Sequence, residues 1–193
     1  MSALHRVFVA VPLSDSLRGA VRDLQQQMEA AGAVARWTRP EQLHFTLRFL
    51  GEIPPSQVAR VKVATREAAT GAAPFPISLR GLGAFPSFQR PQVIWIGVAD
   101  GREPLQALAD GLGEALGKQR FPTEPRPFRP HLTLARVRST RNWCELVRAL
   151  GDLKDADVGG QEVDRLIVFE SHLSPKGPSY TPLEEVALTH HEK

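Results

Sequence analysis

The sequence predicts an α+β fold with mainly antiparallel sheets, and three observations support this class. Hydrophobic residues make up 42% and charged residues 23% of the 193 positions, an ordinary globular composition that excludes intrinsic disorder, collagen and a coiled coil. With 15 glycines and 16 prolines, turns are expected to interrupt the chain often. Helical and strand patterns do not alternate strictly along the chain, which disfavours a doubly wound parallel sheet.

The N-terminal half begins with a strand followed by a helix. Alternating apolar residues predict the strand at about 5–11, and because no small-residue cleavage site follows, this run is not read as a secretory signal. Ser14 or Asp15 then caps a helix to about Ala31, in which apolar residues recur at spacings of 4, 3 and 4. The next predicted elements are an extended piece at about 34–38, a strand at about 43–50, a proline-initiated helix at about 54–70 and a strand at about 75–82.

The C-terminal half continues with a strand at about 92–98, which is rich in β-branched residues, and a helix at about 102–117 with a leucine stripe. Four prolines between Pro122 and Pro130 forbid regular structure there and predict an exposed arm. The remaining predicted elements are a strand at about 131–138, a helix capped by Ser139 or Thr140 that ends near Leu150, an acidic loop, and strands at about 162–172 and 179–189.

Charge, hydropathy and cysteine content narrow the class of protein further. The net charge of +3 is too small to indicate a nucleic-acid binder, and no apolar stretch approaches the roughly 20 residues of a membrane span. A single cysteine, Cys144, cannot form an intrachain disulfide or a cysteine-rich metal site, so a cytoplasmic location is expected. Arginine supplies 19 of the 24 basic residues, which suits phosphate contacts but equally follows from a base-composition bias in the gene.

One short internal repeat carries candidate chemistry. His44-Phe45-Thr46-Leu47 and His131-Leu132-Thr133-Leu134 share the pattern His-x-Thr-x and lie 87 residues apart. In a strand, residues two apart point the same way, so each His and Thr share one face while the apolar residues share the other. The repeat therefore predicts a polar face that opens to a groove and an apolar face that packs into the core.

Arginines surround both copies of the repeat. Strand alternation places Arg48 on the face of His44 and Arg129 on the face of His131, whereas Arg136 points away unless a bulge intervenes. Arg48, Arg129 and Arg126 are therefore candidates for contacts with phosphate or RNA, although charged surface loops produce some of this clustering anyway.

Paired histidines suit two kinds of site, and strand histidines also occur as purely structural residues. Two imidazoles facing each other across a phosphodiester allow acid–base cleavage without a metal, because one ring removes a proton while the other donates one. The hydroxyls of Thr46 and Thr133 would then stabilise the nonbridging oxygens. Metal ligation is the competing use, but neither motif supplies a carboxylate and transition-metal sites need three or four ligands. The expected cofactor is none, and no metal is expected.

Base recognition is harder to predict from the sequence. Four phenylalanines fall in predicted loops and are candidates for stacking on a nucleobase, namely Phe85, Phe88, Phe121 and Phe128. Anchoring of the loops is the alternative role for each of them.

The chain resembles the two-histidine (2H) phosphoesterase superfamily and, within it, the LigT-like RNA 2′,3′-cyclic phosphodiesterases, also called RNA 2′,5′-ligases. The resemblance covers nearly the whole chain and rests on an ordered set of motifs. Besides the two tetrapeptides these are Arg36-Trp37, Glu41-Gln42-Leu43, Phe49-Leu50-Gly51-Glu52, Gly81-Leu82-Gly83-Ala84-Phe85-Pro86 with the Trp95 strand, Arg126-Pro127-Phe128-Arg129-Pro130, Phe169-Glu170-Ser171 and Tyr180.

This resemblance implies a bilobal fold and assigned roles in catalysis. It implies a single domain over residues 1–193 built of two pseudo-symmetric lobes, each giving one motif strand to a central cleft, with helices outside. His44 is implied to be the general acid that protonates the leaving 3′ oxygen, and His131 the base that activates water, leaving a 2′-phosphate. Thr46 and Thr133 are implied to bind the phosphate. Since reversal of the reaction exchanges the acid and the base, this assignment depends on direction.

The resemblance also implies a substrate class. RNA ends with a 2′,3′-cyclic phosphate, tRNA fragments among them, are the expected partners, with joining through 2′,5′ linkages as the reverse reaction. No membrane partner, no obligate protein partner and no oligomer beyond a monomer is expected. The alternatives are a noncatalytic nucleotide- or RNA-binding module of the same fold, or a phosphodiesterase for 2′,5′-oligoadenylate or an ADP-ribose cyclic phosphate.

Overall fold

The computed structural model describes residues 4–125, 127–138, 141–175 and 177–189. In this part of the chain the strands are β1 (His5–Pro12), β2 (Arg36–Trp37), β3 (His44–Ile53), β4 (Phe75–Phe85), β5 (Val93–Val98), β6 (His131–Arg136), β7 (Asp157–Val163), β8 (Arg165–Ser174) and β9 (Gly177–Ala187). The helices are α1 (Asp15–Ala30), α2 (Pro55–Ala69), α3 (Arg102–Lys118) and α4 (Trp143–Asp152), with a short 3₁₀ turn at Pro40–Gln42.

The strands form two antiparallel sheets, which confirms the predicted α+β class. The first sheet has the strand order β3-β1-β8-β9, and the second has the order β2-β6-β5-β4-β7. Every pairing within the two sheets is antiparallel. The two motif strands, β3 and β6, belong to different sheets but contact each other. The fold thus brings together two tetrapeptides that are far apart in the sequence.

Amphipathic helices cover the sheets as their periodicity predicts. The side-chain oxygen of Ser14 accepts a hydrogen bond from the Leu17 amide at 3.2 Å, so Ser14 is the N-cap of α1. The apolar stripe of α1 is fully enclosed, and so is the leucine stripe of α3. Burial of each such leucine stabilises the fold by about 1.5–3 kcal/mol before the entropy cost of ordering it. Within the described residues, none of the helices combines the length and apolarity that crossing a bilayer requires.

Two elements differ from the sequence prediction. The predicted acidic loop contains β7, which pairs with the outer edge of β4. Two adjacent glycines favour a loop in the sequence. In the structure one of them, Gly160, allows close packing of the strands, because a Cβ there would stand only 2.1 Å from the Ile77 carbonyl oxygen. Helix α4 begins at Trp143 with Asn142 as its N-cap. The predicted caps Ser139 and Thr140 lie outside the described residues.

Candidate active site

Each motif opens its strand with a histidine and follows the predicted alternation through the threonine. On β3, Phe45 is 0% exposed, while His44 and Thr46 face a cavity between the sheets. On β6, Leu132 is 0% exposed and Thr133 faces the same cavity. His131 lies two residues before Thr133 on the same strand and is half-buried. Thr133 thus reaches the cavity of His44 from the opposite sheet, whereas His131, at the start of β6, is not among the described residues that line it.

Both motif strands bulge at the fourth residue of the motif. On β3, Ala10 pairs with Thr46 but the next residue of β1, Val9, pairs with Arg48, which leaves Leu47 as an extra residue. On β6, Trp95 pairs with Thr133 and Ile94 with Ala135, which leaves Leu134 as the extra residue. An extra residue reverses the alternation, so the side chain three positions after each threonine shares its face. These side chains are Phe49 and Arg136, and both line the cavity.

The bulges determine which arginines of the motif strands face the cavity. The prediction for Arg48 is wrong, and Arg136 meets the condition under which it was expected to face the cavity. Arg48 does not line the cavity with His44. Its guanidinium instead donates to the Pro122 carbonyl and lies 3.6 Å from a carboxylate oxygen of Glu124. Arg136 does face the cavity, because the bulge at Leu134 intervenes. Arg48 therefore ties β3 to the proline-rich arm that leads into His131.

Arg129, another of the predicted arginines, is not among the described residues that line the cavity. The Arg129 side chain is exposed, and it is the backbone carbonyl of this residue that contacts the catalytic candidate His131. Arg126 lies outside the described residues.

His44 lies in an aromatic cluster. Its ring stacks on Phe8 with centroids 4.7 Å apart and meets Tyr180 edge-on at 5.2 Å, and the tilted Phe169 ring is 6.2 Å away. Burial lowers the pKa of His44 to about 4, although a hydrogen bond with the backbone of Gln42 acts in the opposite direction. In the unliganded cavity this imidazole is therefore neutral at pH 7.

His131 is oriented by a backbone carbonyl and by two aromatic rings. Its Nδ1 lies 2.6 Å from the Arg129 carbonyl oxygen. Because a carbonyl only accepts, Nδ1 carries the proton, and in the neutral ring Nε2 keeps a lone pair for chemistry. Phe85 contacts the ring edge-on at 5.6 Å and Trp95 at 6.1 Å.

Gly83 makes room for the Trp95 ring beside His131. A Cβ at Gly83 would stand 2.0 Å from an atom of this ring, so only glycine lets the indole lie across β4. Part of the glycine-rich segment before Phe85 therefore shapes the surroundings of the second histidine.

The cavity between the sheets has a volume of about 720 Å³ and is strongly basic. Among the described residues, four arginines and no carboxylate line it; the arginines are Arg6, Arg36, Arg136 and Arg138. Burial raises the pKa of Tyr180, and the charges of Arg136 and Arg6 oppose this shift. Both guanidinium groups therefore lie close enough to Tyr180, which contacts His44, for their charges to act on its hydroxyl group. An anion is the ligand that this lining favours.

The four phenylalanines predicted to stack on a base are not among the described residues that line the cavity. Phe85 ends β4 and packs on His131, whereas Phe88 and Phe128 are half-buried against the core. Phe121 lies beneath the Arg60 guanidinium. The aromatic side chains that line the cavity are Phe8, Trp37, Phe49 and Tyr180. The sequence analysis includes Phe49 in a family motif but does not place it in the cavity, because one sequence does not reveal the bulge that turns it there.

The positions of histidine, cysteine, aspartate and glutamate side chains bear on whether the site could hold a metal ion. Among the described residues, no group of three or more histidine, cysteine, aspartate and glutamate side chains is placed to hold a metal ion. The polar side chains that line the cavity include the His44 imidazole, the hydroxyls of Thr46 and Thr133 and guanidinium groups, which suit proton transfer to a bound phosphate.

The two halves of the sequence match one family description separately. A model of the LigT like phosphoesterase family matches residues 11–95 and again residues 96–180. Each match contains one of the two His-x-Thr-x motifs, so the repeat of four residues belongs to a repeat of about half the chain.

Curated relatives align over most of their length. A protein from Methanothermobacter thermautotrophicus named RNA 2′,3′-cyclic phosphodiesterase is 36% identical over 183 residues, which cover 95% of this chain and 98% of the relative. A protein of the same name from Thermus thermophilus is 34% identical over 192 residues, covering 95% of this chain and 90% of the relative.

Solved structures share the fold. The crystal structure of TT0787 of Thermus thermophilus superposes with a TM-score of 0.78 at 31% identity, covering 97% of this chain and 100% of that one. The apo form of E. coli LigT superposes with a TM-score of 0.76 at 25% identity, covering 97% and 99% of the two chains.

Proposed function

Because the chain belongs to the LigT-like phosphoesterase family, we propose that it is an RNA 2′,3′-cyclic phosphodiesterase that needs no metal and leaves a 2′-phosphate. One observation carries the proposal. His44 and Thr46 from one sheet and Thr133 from the other face a single cavity whose described lining holds arginines and no carboxylate, and His131 lies two residues before Thr133 on the same strand. A binding module would need the arginines but not a matched pair of imidazoles.

The ring-opening step uses the roles that the family resemblance implies for these side chains. Nε2 of His131 accepts a proton from water while the water oxygen forms a bond to phosphorus. The bond between phosphorus and O3′ breaks, and His44 gives its proton to O3′, so the product carries a 2′-phosphate and a free 3′ hydroxyl. Thr46 and Thr133 donate hydrogen bonds to the nonbridging oxygens as their charge grows. If an RNA hydroxyl replaces water, the same site forms a 2′,5′ linkage, but water is in large excess.

The acid role of His44 requires that the substrate raise its pKa. In the unliganded cavity the pKa of His44 lies at about 4 because the ring is buried. A bound phosphodiester brings a negative charge to the ring, and an opposite charge at close range favours the imidazolium. Substrate binding and protonation of His44 are thus coupled.

Phosphorus NMR tests the proposed function. Uridine 2′,3′-cyclic phosphate incubated with the protein and a chelator is expected to give uridine 2′-phosphate as the sole product. Formation of the 3′-phosphate would contradict the direction of ring opening, and loss of activity with chelator would contradict the metal-free mechanism. If no product forms, the chain is a noncatalytic member of its family.

The pH profile of kcat/KM is expected to be bell-shaped. In kcat/KM, the acid limb is expected near pH 4, because a doubly protonated pair contains no base and burial lowers the pKa of its member His44 to about 4. The alkaline limb reflects loss of the last proton from the pair, which then contains no acid. Both limbs belong to the coupled pair and do not by themselves assign the acid and the base.

Uridine 2′,3′-cyclic phosphate suits this measurement, because uracil has no ring nitrogen that takes up a proton in the acid range. In kcat, the limbs are expected at higher pH than in kcat/KM, since the bound anion stabilises both imidazolium forms. A kcat/KM that is flat between pH 3 and 9, or whose acid limb lies above pH 6, would contradict the buried position of His44.

The two sheets form one functional unit, a single domain over residues 1–193, since both contribute to the same cavity. RNA ends such as tRNA fragments are the substrates in the cell. The cytoplasm is the proposed compartment, in keeping with the single cysteine.

A further inference from the structure

The positive charge of the cavity exceeds what one cyclic phosphate requires. A nucleoside 2′,3′-cyclic phosphate is a diester with a single negative charge, whereas four arginines line the cavity. None of these four has an ion pair with a carboxylate among the described residues, although arginines elsewhere, such as Arg18, Arg66 and Arg165, do. Charge balance therefore favours a ligand with more than one phosphate.

Phe49 offers an apolar surface at one side of the same cavity. Its side chain is 47% exposed, and the Arg6 guanidinium covers it at 4.8 Å from the ring centroid. Of the five large hydrophobic residues that are exposed within the described chain, Phe49 and Leu173 both line this cavity. An aromatic ring beside an unpaired arginine is how proteins bind a base and its phosphate in single-stranded RNA.

The register of the sheet places Phe49 next to the reactive centre. Phe49 pairs across strands with Phe8, and directly paired residues lie about 4.5–5.5 Å apart at Cβ. Phe8 in turn stacks on His44 at 4.7 Å. Phe49 is thus one aromatic residue removed from the ring proposed to protonate O3′, a separation that suits the neighbouring nucleotide rather than the reacting one. The cavity volume of about 720 Å³ lies in the upper part of the usual ligand-site range of about 300–1,000 Å³.

We infer that the cavity binds a second nucleotide on the 5′ side of the cyclic phosphate, with its base on Phe49 and its phosphodiester on Arg6. This inference rests on the proposed function. The site therefore distinguishes an RNA chain end from a free cyclic mononucleotide. Phe49 and Arg6 determine this specificity and take no part in the chemical step.

Three substrates separate the contributions of the base and of the phosphate. These are uridine 2′,3′-cyclic phosphate, the same nucleotide with a 5′-phosphate, and the dinucleotide UpU with a 2′,3′-cyclic end. For the parent protein, kcat/KM is expected to be about tenfold or more higher for the dinucleotide than for the plain mononucleotide. The 5′-phosphorylated mononucleotide is expected to fall between them, because it offers the phosphate without the base.

Phe49→Ala and Arg6→Gln test the two halves of the subsite. Phe49→Ala should bring the dinucleotide down to the level of the 5′-phosphorylated mononucleotide. Arg6→Gln should remove the advantage of both phosphate-bearing substrates. It should also reduce the slope of log KM against log salt for the dinucleotide by about 0.7, the value expected for one phosphate contact with a single strand.

Matched controls keep the test independent of folding. Val63→Ala is the control for Phe49→Ala, because Val63 is 45% exposed on α2 and does not line the cavity. Arg148→Gln is the control for Arg6→Gln, because Arg148 is exposed on α4 and also lies outside the cavity. Both are expected to retain the parental preference. Equal kcat/KM for the dinucleotide and the plain mononucleotide in the parent, or an unchanged preference in Phe49→Ala, would overturn this inference alone. Failure to hydrolyse any of the three substrates would overturn the proposed function instead.

Discussion

Replacing His131 with alanine is expected to lower kcat for uridine 2′,3′-cyclic phosphate by about 10²–10⁴-fold, and His44→Ala by a similar factor. Each variant leaves one proton transfer to water, which raises the barrier by roughly 3–5 kcal/mol. The two losses should not add, since a site without its base gains little from its acid. The double variant should therefore retain nearly the activity of the weaker single one.

The two positions differ in how far alanine disturbs the fold. His44 stacks within the aromatic cluster of Phe8, Phe169 and Tyr180, so His44→Ala removes packing as well as an acid. His44→Gln retains more of this volume and should show the same loss of kcat with a melting temperature closer to the parent. The half-buried His131 allows a second measurement, in which added imidazole restores part of the activity of His131→Ala.

His172 provides the matched control. It is half-exposed on β8, lies 3.7 Å from a Glu170 carboxylate oxygen and does not line the cavity. His172→Ala is expected to keep the parental kcat. A kcat within threefold of the parent in both His44→Gln and His131→Ala would show that these imidazoles do not transfer the protons.

Period-two alternation predicts the four motif side chains well because it is a local property of a strand. From His44 to Thr46 and from His131 to Thr133, one face is polar and the other enters the core, and no tertiary information is needed for this. The helices are predictable for the same reason. The stripes of α1 and α3 are buried as their 3.6-residue spacing predicts.

Beyond each threonine the sequence does not predict which side chains face the cavity, because a bulge depends on the partner strand. At Leu47 and Leu134 the pairing strand has one residue fewer, and this single difference moves Arg48 out of the cavity and Phe49 and Arg136 into it. The same dependence explains β7, in which Gly160 is required by the close approach of β4 and Gly159 has a φ of +82°. Alternation is therefore a reliable guide only up to the first irregular pairing.

Thr46→Val and Thr133→Val are each expected to lower kcat by about 10²–10³-fold, the cost of losing one donor to a developing oxyanion. Valine matches threonine in shape, so the substitution removes a hydroxyl without leaving a void. Both hydroxyls face the cavity, and neither has a hydrogen-bond partner among the described residues that would hold it away from a ligand. Thr→Ser at either position should restore most of the rate.

The pattern of losses distinguishes stabilisation of the transition state from simple binding. Charge on the nonbridging oxygens grows as water bonds to phosphorus, so kcat should fall while KM changes little. Thr181 on β9 is exposed and outside the cavity, and Thr181→Val should leave both constants unchanged. A loss confined to KM would mean that the hydroxyls hold the ground-state phosphate and that the arginines stabilise the transition state. Similar losses at both positions would show that the two motifs act on the same phosphate, as their equivalent places on β3 and β6 require.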